Sequence, residues 1–158
     1  MENSGSHKNG ATTSPGKILL VEDEESVRYS LELALSTSGY HVTTASDGIK
    51  GLAWVMATSR FTDTFDLMIM DVMMPMMNGI SLLGKLKHFK VIIPTLVITG
   101  CSDAETLTKL RESGATDILR KPFEPDALLA KVSELLARKA QISHTDVNPT
   151  GVKTAFVA

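Results

Sequence analysis

The sequence has little of what would place it outside the cell or in a membrane. Its 158 residues include a single cysteine, Cys101, so no internal disulfide can form, and this suits a reducing compartment. No stretch approaches the roughly 18 consecutive apolar residues that a membrane-spanning helix needs. Residues 1–15 are polar and contain no apolar segment typical of a secretory signal. These absences predict a soluble cytoplasmic protein with no membrane partner.

An excess of basic charge is also absent. The formal net charge is −2, whereas a domain that binds nucleic acid directly is normally basic. We therefore expect no direct binding of nucleic acid. Hydrophobic residues make up 43% of the chain, which is typical of a globular protein, and the length is sufficient for one domain with a full core.

The composition divides the chain into three parts. Residues 1–16 are rich in Ser, Gly, Thr and Asn, which predicts a disordered arm. Residues 140–158 are polar and contain the breakers Pro149 and Gly151, which predict a flexible tail or a truncated linker. Residues 17–139 contain no internal repeat and are interpreted as a single domain.

Short apolar runs alternate with helical patterns in this domain. The runs are nearly continuous, as is typical of strands that are covered on both faces. They lie at Lys17–Val21, His41–Thr44, Asp66–Met70, Ile92–Ile98 and Thr116–Leu119. Helical spacing of apolar residues predicts helices around residues 27–35, 47–58, 79–87, 103–112 and 128–136. Ser102 is the predicted N-cap of the fourth helix, and Gly39 and Gly114 are predicted helix ends.

Five strands that alternate with five helices predict an α/β fold. Right-handed crossovers place the helices on both faces of a doubly wound, five-stranded parallel sheet. In such sheets, ligands bind beyond the carboxyl ends of the strands. The residues that directly follow each apolar run are therefore the candidates for chemistry.

Acids, a hydroxyl and a base stand at these strand ends. They are Glu22, Asp23, Asp71, Thr99 and Lys121. Carboxylates that are packed together repel one another, and Mg²⁺ relieves the repulsion while leaving room for phosphate oxygens. A carboxylate beside Mg²⁺ can attack a phosphoryl group and form an acyl phosphate. An ammonium and a hydroxyl can neutralise the charge on the remaining phosphoryl oxygens.

Four segments carry a resemblance to a known family. They are KILLVEDE at 17–24, MDVMMPMMNG at 70–79, VITG at 97–100 and GATDILRKPF at 114–123. In this order they resemble the receiver domain of response regulators in two-component signalling, including chemotaxis regulators. The resemblance covers residues 17–139 and implies the flavodoxin-like receiver fold.

The resemblance also implies a function and its partners. The family transfers a phosphoryl group, with Mg²⁺, from a phosphohistidine donor to an aspartate, here Asp71. The donor is a sensor histidine kinase or a histidine phosphotransfer protein. Such a domain is not an enzyme beyond catalysing its own phosphorylation and slow dephosphorylation. Phosphorylation then changes the surface formed by the fourth helix, fifth strand and fifth helix. Through this surface the domain can form a homodimer or bind a downstream target or output domain.

The residues that match the family's motifs acquire roles by this resemblance. Asp23 would bind the metal directly and Glu22 through a water, while Met73 would contribute its backbone carbonyl. Thr99 matches the switch hydroxyl and Lys121 the phosphate-binding lysine, which precedes a cis Lys-Pro peptide bond in the family.

The chain departs from the family's pattern at several positions. Glu22 stands where Asp is commoner, and Met76 and Asn78 replace the usual Gly and Asp. Ile118 stands where the family places an aromatic switch residue, which puts the usual aromatic readout in doubt. Residues 60–65 form a stretch that is longer than usual before the third strand.

Three other functions are less consistent with the sequence. A phosphatase of the haloacid dehalogenase type needs a second acid two residues after the nucleophile, where this chain has Met73. A flavodoxin-like electron carrier needs a phosphate loop rich in glycine and hydroxyls, but residues 22–25 are acidic. A degenerate receiver that serves as a binding scaffold would lack acceptor residues, all of which are present.

Six of the eight methionines lie at 68–77, where packing is favoured over a copper(I) site.

Overall fold

Strands and helices alternate along the chain as the sequence predicts. The computed structural model describes residues 15–58 and 64–145. Most of the predicted arm, residues 59–63 of the stretch before the third strand, and the predicted tail beyond 145 lie outside the described residues. The strands are β1 (Lys17–Val21), β2 (His41–Ala45), β3 (Leu67–Asp71), β4 (Thr95–Thr99) and β5 (Asp117–Arg120). The helices are α1 (Glu25–Thr37), α2 (Gly48–Thr58), α3 (Gly79–His88), α4 (Ala104–Ser113) and α5 (Pro125–Thr145).

The strands form one parallel sheet in the order β2-β1-β3-β4-β5. The predicted fold class is therefore confirmed. The strand order reverses at β1, because the chain first adds β2 on one side and then β3 on the other. The carboxyl ends of β1 and β3 thus lie side by side at the topological switch point, where ligands bind in sheets of this kind.

Alternating side chains of the strands supply two hydrophobic cores, one on each face of the sheet. Leu19 and Val21 point to the face that is covered by α2, α3 and α4, whereas Ile18 and Leu20 point to the face covered by α1 and α5. Every residue of β3 is buried. Met68 and Met70, both fully buried, fill the first of these cores, in agreement with their predicted packing role.

Two of the boundaries that differ from the sequence-based expectation have a clear physical cause. β4 begins at Thr95 and not at Ile92, because Pro94 has no N–H for a ladder bond and Ile92 is 97% exposed. The N-cap of α4 is Asp103 and not Ser102, since the Asp103 side chain accepts a hydrogen bond of 2.8 Å from the Thr106 N–H. Gly114 ends α4 in the left-handed conformation, as expected.

The last helix is longer than its apolar pattern indicates. α5 continues to Thr145, so residues 140–145 of the predicted tail are helical and the boundary at 139 falls inside a helix. Near this end, Lys139 Nζ lies 2.8 Å from Asp66 Oδ1, which ties the helix to the start of β3. Within residues 15–58 and 64–145, no helix is long and apolar enough to cross a bilayer.

The start of α3 lies unusually close to the end of β3. The Gly79 N–H donates to the Val72 carbonyl over 2.9 Å. A Cβ at Gly79 would come within 2.8 Å of the Asp71 carbonyl oxygen and 3.0 Å of the Val72 Cα. Only a glycine allows this approach, which fixes the backbone of Asp71.

Two glycines of α3 provide a matched test. Gly79→Ala should lower the free energy of unfolding by about 1–3 kcal/mol, because the added methyl must displace backbone atoms of β3. Gly84→Ala should raise it by about 0.5–1 kcal/mol, because Gly84 is exposed and has no atom within 4 Å of the added Cβ. Urea unfolding of both variants measures the two effects, and equal shifts would show that close approach is not what Gly79 provides.

Candidate functional site

Three carboxylates meet at the switch point of the sheet. Glu22 and Asp23 directly follow β1, and Asp71 is the last residue of the neighbouring β3. One carboxylate oxygen from each residue lies within 4.8 Å of the other two. Glu22 is 2% exposed and Asp71 is 9% exposed, while Asp23 is more accessible. The structure thus brings together the three acids that the sequence singles out.

Lys121 supplies the opposite charge. Its Nζ lies 2.7 Å from Asp71 Oδ2 and 3.6 Å from Glu22 Oε2. Burial on its own would lower the pKa of Lys121. The hydrogen bond to Asp71 and the negative charges of both acids outweigh burial and raise this pKa above its ordinary value. The Lys121-Pro122 peptide bond is cis, as the resemblance implies.

The acidic cluster is short of positive charge. Burial raises the pKa of Glu22, even though the Glu24 N–H donates to its Oε1 over 3.2 Å and Lys121 attracts its charge. One ammonium faces three carboxylates here, so negative charge remains to be neutralised. The donor atoms are all carboxylate oxygens, which are the ligands that Mg²⁺ and Ca²⁺ prefer. The residues present therefore fit a hard divalent cation.

Asp71 is held on both of its carboxylate oxygens. Oδ2 accepts from Lys121, and Oδ1 accepts from the Met73 N–H over 3.2 Å. The Met73 side chain itself is 74% exposed. The backbone of residue 73 thus contacts the candidate site whatever its side chain does.

Arg28 is a contributor that sequence reasoning missed. Its guanidinium Nη1 donates to the carbonyl oxygens of Glu22, over 2.8 Å, and of Asp23, over 3.2 Å. This clamp fixes the turn that carries two of the three acids. An arginine in the first turn of a helix is usually a solvated surface residue, so no sequence signal points to this role.

Thr99 is the last residue of β4, the strand next to β3, and is fully buried. Its Oγ1 accepts from the Cys101 N–H over 3.0 Å. The Cys101 thiol in turn donates to Asp103 Oδ2 over 2.5 Å, and the other oxygen of Asp103 caps α4. The thiol bond and then the Thr106 N–H lower the pKa of Asp103 to about 2. A continuous chain of contacts therefore joins Thr99 to the start of α4.

Ile118 does not belong to the charged cluster. It lies on β5, half-buried, and packs against the core on the face that carries α4. Leu107 of α4 and Ala115 pack against the same core. Ile118 and α4 therefore share one hydrophobic core.

Comparisons with known proteins agree on one family. The model of the response regulator receiver domain matches residues 18–133. Response regulator ArlR of Staphylococcus aureus is 36% identical over 141 residues, which cover 89% of this chain. The match spans only 62% of the length of that relative.

Solved structures show the same likeness. The receiver domain of the Francisella response regulator 1452 is 28% identical, with a TM-score of 0.70 over 78% of this chain and 98% of that one. The Vibrio cholerae chemotaxis protein CheY4 is 32% identical, with a TM-score of 0.69 over 77% of this chain and 98% of that one.

The roles that the resemblance implies for the acids rank them by their expected effect on Mg²⁺ affinity. Asp23→Asn should weaken binding by roughly a hundredfold, because the carboxylate expected to bind the metal directly is lost. Glu22→Gln and Arg28→Met should each weaken it by about tenfold, since each removes an orienting contact. Calorimetric titration of Mg²⁺ into the variants tests the order. Equal losses for Asp23→Asn and Glu22→Gln would mean that the two roles are misassigned.

Proposed function

This chain belongs to the receiver domain family of the response regulators of two-component systems, and we propose that Asp71 is its phosphoacceptor. The donor is the phosphohistidine of a sensor histidine kinase or of a histidine phosphotransfer protein. The observation that carries the proposal is the position of Asp71. Its carboxylate lies at the switch point, within 4.8 Å of two other acids and 2.7 Å from a lysine ammonium.

The chemistry follows from the charges around this carboxylate. An Asp71 oxygen attacks phosphorus, the P–N bond to the donor imidazole breaks, and the imidazole keeps the bonding electrons. Lys121 neutralises charge on a transferred oxygen, and the Thr99 hydroxyl can donate to another. A bound Mg²⁺ would neutralise a further oxygen, and the residues to hold it are Asp23, Asp71, the Met73 carbonyl and, through water, Glu22.

The contacts of Asp71 favour the role of phosphoacceptor over that of an ordinary surface acid. Asp71 forms an ion pair with Lys121. Transfer of the group converts the carboxylate into an acyl phosphate, a mixed anhydride, and adds phosphoryl oxygens, which become the better partners for the ammonium. Lys121 therefore lies in the site before the reaction. Its Nζ contacts Asp71 before the transfer and a phosphoryl oxygen afterwards, so the same atom stabilises the product.

The signal would leave the site through Thr99. In the structure, the Thr99 hydroxyl oxygen accepts a hydrogen bond from the Cys101 N–H. When the hydroxyl turns to donate to a phosphoryl oxygen, it moves away from this N–H. The loop from Cys101 to Asp103 then loses an anchor, and Asp103 is the cap of α4. A shift of this loop and of α4 changes the face formed by α4, β5 and α5, which is the proposed site for a homodimer or a downstream target.

The residue two positions after Asp71 disfavours the rival phosphatase function. A phosphatase of the haloacid dehalogenase type requires an acid where Met73 stands. The family is a signalling domain and not a classical enzyme. A binding scaffold without phosphorylation would not need Lys121 and the three carboxylates to meet.

The first test is the acceptor itself. Asp71→Asn should abolish phosphorylation by acetyl phosphate with Mg²⁺, because an amide of nearly the same shape is not a nucleophile. Intact-mass spectrometry should show one added phosphoryl group on the wild type and none on the variant. Phosphorylation of the variant in the same yield at another residue would refute the assignment.

The second test follows the conformational change. In NMR spectra of the phosphorylated domain, the largest amide shifts outside the site should fall at Cys101–Asp103 and in α4. Ile118 has a stiff β-branched side chain and can report less by rotation than an aromatic ring would. Shifts confined to α1 and α2 would contradict this route.

The third test concerns the lifetime of the acyl phosphate, which we expect to be long for a receiver. Hydrolysis needs a water aligned behind phosphorus. The Met73 thioether accepts hydrogen bonds weakly, and the Cys101 thiol is already engaged with Asp103. Met73→Asn should speed dephosphorylation by roughly fivefold, the equivalent of one net hydrogen bond. An unchanged or slower rate, followed by mass spectrometry with Mg²⁺ present, would show that Met73 does not shield the group.

A further inference from the structure

A second concave surface lies at the amino-terminal edge of the sheet, on the side opposite Asp71. It is a groove of about 390 Å³ between the end of α3 and the end of α4. Its apolar walls come from Leu83, Leu86, Val91, Ile93 and Pro94. The proposed phosphorylation chemistry uses none of these residues.

The rim of this groove is basic. Lys87 and Lys90 line it on the α3 side, and Glu112 lines it at the end of α4. Lys87 Nζ donates to the backbone carbonyl of Glu112 over 3.2 Å, while Lys90 forms no ion pair with any described residue. The sequence has no Asp or Glu from residue 72 to 102, although the whole chain is net negative. The two ammoniums on the rim therefore outnumber its one carboxylate, that of Glu112, so the rim carries net positive charge.

The backbone at Lys90 points to a role for its side chain. Lys90 follows the C-cap residue Phe89 and has a φ of 57°, in the left-handed region. The Val91 N–H donates to the Leu86 carbonyl over 3.0 Å, which completes the usual helix-ending motif. Glycine is the favoured residue at such a position, because any Cβ there is strained. Glycine at this position would remove the backbone strain and stabilise the fold, so folding does not explain the lysine.

One lining residue of the groove is a highly exposed apolar side chain. Ile92 is 97% exposed, and Phe89, which directly precedes Lys90 in the chain, is 47% exposed. Basic residues at the end of a helix suit its dipole, and single exposed apolar residues are common. These two effects do not account for a concave apolar wall whose rim carries a lysine that has a strained backbone and forms no ion pair with the described part of the chain.

We propose that this groove is a docking site for an acidic segment of a partner protein. A bulky apolar side chain of the segment would enter between Leu86 and Ile93, and its neighbouring carboxylates would face Lys87 and Lys90. Charge complementarity and concavity favour this occupant. A bilayer surface has no protruding group to fill a groove, and apolar walls offer nothing to the phosphates of a nucleic acid.

A short synthetic peptide tests the proposal. The probe has one central Leu-Trp pair among Asp and Glu residues and carries a fluorescein label. Fluorescence anisotropy gives its affinity, and NMR locates its contacts. We expect amide shifts at Leu86, Val91 and Ile93. They should also appear with the Asp71→Asn protein, so a failure here is distinguishable from a failure of the proposed phosphorylation.

Variants of Lys90 separate charge from folding. Lys90→Gly should keep or raise the stability and weaken peptide binding by roughly two- to fivefold, and Lys90→Glu should weaken it further. Lys85→Glu is the matched control, because it makes the same charge change on an exposed lysine of α3 that does not line the groove. Its effect should be smaller than that of Lys90→Glu.

Four outcomes would overturn the proposal. A peptide with Ala-Ala in place of Leu-Trp could bind as tightly, which would mean that the groove is not filled. Lys90→Glu could have no more effect than Lys85→Glu. Phosphatidylserine vesicles could bind the protein through Lys90 while the peptide does not, which would indicate a lipid surface. Self-association in analytical ultracentrifugation that Lys90→Glu abolishes would assign the groove to a second copy of the chain.

Discussion

The meeting of three carboxylates with one ammonium at the edge of a parallel sheet is the constraint on which the rest of the structure depends. A parallel sheet brings the carboxyl ends of β1 and β3 side by side, so Glu22, Asp23 and Asp71 cannot avoid one another. Lys121 offsets only part of this charge. The remaining negative charge makes the site suited to a divalent cation, and the cation makes a carboxylate suited to a phosphoryl group.

The surrounding fold holds this unfavourable arrangement in place. Every residue of β3 is buried, so Asp71 is presented by a strand that cannot shift its register easily. Gly79 brings α3 against the backbone of Asp71, and Arg28 clamps the turn that carries Glu22 and Asp23. Thr99 is buried at the end of β4, but its hydroxyl is bonded to the loop residue Cys101 and not to a strand. This hydroxyl is therefore the part of the site that can move at the least cost to the core.

Much of this arrangement could be predicted from the sequence, because strand ends are marked by a change from apolar to charged residues. That change located Asp71, and the order of the segments predicted the sheet. What the sequence could not supply depends on tertiary contacts. Ser102 and Asp103 are both good capping residues, and only the hydrogen bond to Thr106 selects Asp103. The extension of α5 accompanies the contact of Lys139 with Asp66, and the clamp by Arg28 depends on where two carbonyls point.

Phosphorylation of Asp71 is the central proposal, and the chemical identity of the modified side chain can be measured directly. Borohydride reduces an aspartyl phosphate to homoserine, and peptide sequencing by mass spectrometry then reads the position that carried the group. After incubation with acetyl phosphate and Mg²⁺, we expect homoserine at position 71, and none when the metal is chelated. Homoserine at another acid, or a phosphoryl group that resists reduction and stays on a hydroxyl or an imidazole, would contradict the proposal.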